Sequence, residues 1–219
     1  NIKNGPNIFL ANEFFDALPV KQFIKKNNKW FEKKVKVLSK NNFELVNEPT
    51  NINKLEKKIG INLKNNQKVI EFSPMTYKYL KTISKKINAF QGGLLIIDYG
   101  YFEEEMKNSL QSVRKHKFSN ILESFGNSDI TYNISFFLLE KILKKLNLKV
   151  VGTTTQKKFL TKLGIMQRAE ILSRNLKFSK KANIYYRLNR LIDNKFMGNL
   201  FKVMFATKKN NKFKIGFEN

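Results

Sequence analysis

Short apolar runs alternate with stretches whose apolar residues recur at helical spacing, and this alternation predicts the elements. Asn7 to Ala11 (NIFLA) is an apolar run opening onto polar residues, as a buried strand feeding a loop would be. Pro19 closes that loop. From Lys21 to Val46 the runs QFI, WFEKKVKVL and FELV are separated by KNN segments, which predicts antiparallel strands joined by Asn-containing turns. Asn47 to Gln67 is polar and Asn-rich around a weakly helical segment, so residues 21–67 read as a β insertion ending in a flexible linker.

Val69 to Phe72 leads into Ser73-Pro74, a cap followed by proline in a first helical turn, and Tyr77, Leu80, Ile83 and Ile87 then recur at helical spacing. A helix is expected over about 74–89, stopped by Gln91-Gly92-Gly93. LLIIDYG is a continuous apolar strand containing Asp98, the pattern of a central parallel strand covered on both faces. Further helices are expected near 133–146, 156–176 and 180–193, with strands near 149–152 and 199–207. Met197-Gly198 is expected to make a tight turn before the last strand. There is no internal repeat. Strands alternating with helices predict an α/β fold with an open, mostly parallel sheet, where ligands bind at the carboxyl ends of strands. Those ends carry Asn12, Glu13 and Asp16 after the first strand, and Asp98 after the central one.

Composition narrows the chemistry. The 219 residues, 42% of them hydrophobic, can bury a substantial core, and the length favours one domain. No run approaches the roughly 20 apolar residues of a membrane-spanning helix. The absence of Cys removes disulfides and thiolate chemistry, and one His cannot build a zinc site alone. A net charge of +25 would suit phosphate backbones or anionic surfaces. Against a nucleic-acid role, Lys travels with abundant Asn and Ile, as an AT-rich genome would produce. The aromatics also lie in apolar runs instead of interleaving with Lys as stacking platforms require.

Several segments in order carry a family resemblance. They are ANEFFDALPVKQF (Ala11 to Phe23) followed by Trp30-Phe31-Glu32, EFSP (Glu71 to Pro74), GGLLIIDYGY (Gly92 to Tyr101), SLQSVRKHKF (Ser109 to Phe118) and DITYNISF (Asp129 to Phe136). TQKKFLTKLGI (Thr155 to Ile165) and MGNLFKV (Met197 to Val203) complete the set. The chain resembles the MidA family of class I S-adenosylmethionine (SAM)-dependent methyltransferases over nearly its whole length. The resemblance implies a Rossmann-like methyltransferase fold over residues 1–219, SAM as cofactor, and a protein substrate. For mitochondrial members it implies arginine methylation of a respiratory complex I subunit during assembly. A bacterial cytoplasm is the implied location, with the mitochondrial matrix as alternative. The family's glycine loop after the first sheet strand and its acidic second strand end lie upstream of ANEFFDALP, so the chain is expected to be the C-terminal part of such an enzyme. By itself it is expected to bind SAM weakly.

What remains suits the substrate side. A methyl acceptor nitrogen must be neutral and aligned, and carboxylates or amide carbonyls can orient a guanidinium and take up its proton. Asn12, Glu13 and Asp16 offer that chemistry as the catalytic candidates, with capping of a following helix as the alternative for Glu13 or Asp16. Phe14, Phe15 and Leu18 read as core. Asp98, Tyr99, His116, Asp129 and Thr131 are candidates for substrate binding, although Asp98 could cap its own loop and Asp129 the helix near Asn133. The competing function is a non-catalytic partner-binding or assembly protein of the same fold.

Overall fold

The computed structural model describes residues 4–40, 42–115, 117–123 and 126–217. The chain begins with β1 (Asn7–Asn12), β2 (Lys21–Lys26), β3 (Lys29–Ser39), β4 (Asn42–Pro49), α1 (Ile52–Ile59), β5 (Val69–Phe72) and α2 (Pro74–Phe90). There follow β6 (Gly92–Tyr101), β7 (Gln111–Arg114), β8 (Lys117–Ser119), β9 (Asp129–Thr131), β10 (Ile134–Ser135) and α3 (Phe136–Lys145). The chain continues with β11 (Leu148–Thr155), α4 (Gln156–Lys162), α5 (Ile165–Ser173), α6 (Phe178–Ile192), α7 (Met197–Leu200) and β12 (Phe201–Lys208). Two compact units result, one of Asn1–Glu13, Ile83–Gly100 and Asn147–Asn219, the other of Phe14–Thr82 and Tyr101–Leu146.

The first unit is built on a sheet of order β1-β6-β12-β11. β1 and β6 run parallel in register from Asn7↔Gly92 to Asn12↔Ile97, the pairing that puts their carboxyl ends side by side. β12 runs antiparallel to both β6 and β11. The sheet is therefore mixed, where the alternation of elements predicts mostly parallel pairing. The cause is legible in β12 itself: Val203, Met204 and Ala206 are fully buried. Such a strand is apolar on both faces whichever way it runs. Its direction is set by the helices that precede it, which pack against one another, α4 and α7 also lying on β11 and β12.

The helix expected over 156–176 is two helices, because Gly164 takes a left-handed conformation (φ 78°) between α4 and α5. Met197-Gly198 starts the short helix α7 rather than a tight turn. A Cβ on Gly198 would meet the Ile192 carbonyl at 2.3 Å, so only glycine lets this helix follow α6 so closely.

The second unit holds an antiparallel sheet of order β4-β3-β2-β5. β2 to β4 are the antiparallel strands that the 21–46 pattern predicts, and Asn27 and Asn28 make the β2–β3 turn at positive φ. Asn47 to Gln67, expected as a flexible linker around a weakly helical segment, completes β4, forms that helix as α1, and buries Ile52, Ile59, Ile61 and Leu63. Asn51 caps α1 by accepting the Asn53 N–H at 3.0 Å, and Gly60 ends it at φ 67°. β7, β8 and β9 make a second small antiparallel sheet. α3 begins at Phe136 with Ser135 as its cap, not Asp129.

Candidate functional site

β1 ends at Asn12, and the ladder continues one step further because the Glu13 N–H donates to the Ile97 carbonyl at 3.0 Å. Glu13 holds φ at 47°, in the left-handed region that a non-glycine residue rarely occupies. A backbone outlier of this kind, kept in place by the neighbouring strand, is characteristic of functional loops. The side chains of Asn12 and Glu13 are exposed, and Asn12 Nδ2 approaches Glu13 Oε1 at 3.5 Å. Beside them on β6, Asp98 is fully buried and its Oδ1 accepts the Tyr99 N–H at 3.0 Å. Tyr99 packs against Phe201, with ring centroids 4.1 Å apart. Four of the expected site residues thus lie at one end of the parallel pair, Asn12 and Glu13 exposed, Tyr99 half-buried and Asp98 buried.

The remaining candidates lie in the second unit. No helix follows Glu13 or Asp16, so neither caps one. Asp16 is buried in the loop after β1, and its carbonyl accepts the Tyr132 N–H at 3.3 Å. Phe15 is fully buried, while Phe14 is partly exposed and meets Tyr79 edge-on at 5.3 Å. Asp129 and Thr131 lie on β9, opposite Val113 and Gln111 of β7, and Gln111 Nε2 donates to Thr131 Oγ1 at 3.4 Å. His116 lies outside the described residues.

Sequence reasoning passed over the centre of this unit, Glu71. The carboxylate is buried, and its Oε1 accepts from Gln22 Nε2 at 2.6 Å and from the backbone N–H groups of Ser109 and Leu110 at 2.9 and 3.1 Å. Its Oε2 accepts the Ser109 hydroxyl at 2.5 Å, and Ser109 Oγ in turn accepts the Asn133 N–H at 2.9 Å. One carboxylate thereby ties β5, β2, the 108–110 loop and the segment after β9 together. The signal was available: EFSP and SLQS are both matched motifs, and a carboxylate inside an apolar strand run has to find donors when it is buried. Nearby, burial pushes the Tyr101 phenol up from its ordinary value, against the Lys107 N–H, which donates to the hydroxyl oxygen at 3.0 Å.

These groups suit orienting and deprotonating a nitrogen. Among the described residues no glycine-rich turn follows β1, and Gly92 and Gly93 are closed in by Asn7 and Phe205. The described residues therefore offer no glycine cradle for a cofactor.

Residues 1–154 match the model of a family described as "Putative S-adenosyl-L-methionine-dependent methyltransferase". The chain is similar to the mitochondrial protein arginine methyltransferase NDUFAF7 of Danio rerio, at 27% identity over 92% of this chain and 47% of that protein. It is also similar to the Caenorhabditis elegans homolog, at 28% identity over 77% of this chain and 40% of that protein. It thus spans about half the length, or less, of these curated relatives. An uncharacterized protein from Burkholderia thailandensis superposes with a TM-score of 0.84 at 19% identity, over all of this chain and 60% of that one. A superfamily member from the same organism, bound to S-adenosyl-homocysteine, superposes with a TM-score of 0.81 at 19% identity, over 58% of its length.

Proposed function

The chain belongs to the MidA family of SAM-dependent methyltransferases, and from that premise we propose that it serves methyl transfer to an arginine nitrogen of a protein substrate. The observation that carries the reading is the shared end of the parallel pair, where Asn12 is in register with Ile97 and Glu13 donates its N–H to the Ile97 carbonyl, one residue before Asp98-Tyr99. The names of the zebrafish and nematode relatives support arginine as the acceptor. SAM supplies an electrophilic methyl group, so the protein's task is to make a nitrogen lone pair available. Glu13, exposed and with its backbone held by the ladder hydrogen bond, offers a carboxylate to accept guanidinium N–H bonds. There it would disperse the positive charge and accept the proton that the nitrogen loses on methylation, the methyl–sulfur bond of SAM breaking to release S-adenosylhomocysteine. Asn12 supplies an amide carbonyl to the same task. Asp98, being buried, orients the Tyr99 backbone rather than meeting substrate directly.

The resemblance to the mitochondrial members extends the reading to a respiratory complex I subunit as substrate. A bacterial cytoplasm is the location this reading favours, with a mitochondrion, as in the names of the relatives, as the alternative. The test is transfer of a labelled methyl from SAM to substrate protein by the complete gene product carrying Glu13→Gln or Asp16→Asn. Glu13→Gln should lower turnover by about a hundredfold or more with SAM affinity little changed. Near-normal turnover in both variants would remove the loop after β1 from catalysis. An unaltered protein that captures its partner but transfers no methyl would leave the partner-binding reading in place.

A further inference from the structure

A cavity of about 520 Å³ opens in the second unit between the β2–β5 sheet and helix α1. That is within the range that small ligands and peptide side chains occupy, roughly 300–1,000 Å³. Its floor is apolar: Phe23, Ile52, Ile59 and Phe72 all line it, each no more than 4% exposed. Tyr77 forms an aromatic wall beside Phe72, with ring centroids 6.3 Å apart. The rim is cationic. Lys21, Lys54 and Lys58 line it and are exposed. Its one carboxylate, Glu32, is already held by Lys21 at 2.5 Å. Among the described residues Lys54 and Lys58 have no ion-pair partner, and they stand one turn apart on the same face of α1.

Two helix starts reinforce the sign of this potential. Asn51 and Ile52 at the beginning of α1, and Pro74 at the beginning of α2, all line the cavity. Neither helix has an acidic residue in its first turn. Asn51 Oδ1 and Ser73 Oγ each accept one N–H there, but no carboxylate of the first turn offsets either positive end, so an anion placed nearby is favoured.

We propose that this cavity binds an acidic peptide segment of a partner protein, seating an aromatic or branched side chain between the half-buried Leu55 and Tyr77, above the Phe23–Phe72 floor, with flanking carboxylates against Lys54 and Lys58. Charge complementarity and an apolar floor together select this occupant. A bare inorganic anion would leave the apolar walls of Leu55 and Tyr77 in water, and an uncharged apolar peptide would leave the lysines unmatched. None of the strand-end residues lines this cavity, so the inference holds whether or not methyl transfer is the activity.

The test is fluorescence anisotropy with a rhodamine-labelled peptide of sequence Glu-Asp-Phe-Glu-Asp, acetylated and amidated, titrated with the protein at low salt. Binding should weaken at least tenfold in K54E/K58E and when the peptide's Phe is replaced by Gly. It should change less than twofold in K36E, a control on the β3–β4 hairpin. Circular dichroism checks that both variants remain folded, which the exposure of the substituted lysines favours. Equal affinity for the protein and K54E/K58E would overturn the proposal, as would indifference to loss of the Phe. Displacement of the peptide by millimolar inorganic phosphate as effectively as by unlabelled peptide would also overturn it, reducing the cavity to a simple anion site.

Discussion

Glu71 accepts four hydrogen bonds at two oxygens, and every one of its partners belongs to a segment other than its own strand. Removing the carboxylate leaves two part-buried backbone N–H groups without an acceptor and the Gln22 amide nitrogen with only Asn108 Oδ1, each lost bond costing about 1–3 kcal/mol. Glu71→Ala should therefore lower unfolding free energy by about 3 kcal/mol or more in urea titration. Glu71→Gln keeps one acceptor oxygen and can donate to Ser109 Oγ, so its cost should be about half as large. Equal costs would mean that the network contributes through packing alone. Tyr101 offers a second check at this scale. Its folded-state pKa is raised by burial, so between about 10, the unfolded value, and the folded value the native state holds a proton that the unfolded state has lost. Stability from this group is complete below pH 10 and falls as pH rises through that window. In ultraviolet titration Tyr101→Phe should remove one late-ionising phenol. The strand-end polar residues Asn12, Glu13 and Asp98 were legible in the sequence because an apolar run stops at them. Glu71 was not, because a lone Glu in a short strand looks the same whether it faces solvent or a ring of donors.

At the scale of elements, the parallel pairing of β1 with β6 was readable because both are short apolar runs ending in polar residues, and only a crossover connection can join such strands in parallel. What could not be read was the antiparallel return of β12, since burial on both faces erases the alternation that would have revealed its environment. The β7–β9 sheet was missed for the opposite reason. Its strands are three or four residues long and mostly exposed, too short for any period to show. Gly92 tests the β1–β6 pairing. It sits at φ 102°, and a Cβ there would lie 1.9 Å from the Asn7 carbonyl oxygen. Gly92→Ala must therefore move β1 away from β6, and should cost about 3 kcal/mol or more. The β3–β4 hairpin gives the contrasting expectation. Val35 and Val37 are 49% and 64% exposed near its tip, so Val37→Thr should change stability by less than about 0.5 kcal/mol. A large loss there would mean that the hairpin face is covered in solution.

Over the whole molecule, 42 basic residues face 17 acidic ones, and the two ways that charge can act on stability oppose each other. Ion pairs such as Lys34–Glu48 and Lys107–Glu103 favour the fold, but both partners of each are about half exposed, and such pairs contribute about 0–1 kcal/mol apiece. Repulsion among the excess cations acts over the whole surface and opposes compaction. Salt weakens both, and the screening length falls from about 10 Å at 0.1 M to about 3 Å at 1 M. Neighbouring unpaired lysines, such as Lys54 and Lys58 one turn apart, lie within the first length and near or beyond the second. With about 25 more cations than anions, the repulsive sum exceeds the paired one. The melting temperature should therefore rise as NaCl is raised from 0.1 to 1 M, and rise less in K54E/K58E, whose excess charge is smaller by four. A melting temperature that falls with salt would show that local pairing, not the uniform excess, governs the charged surface.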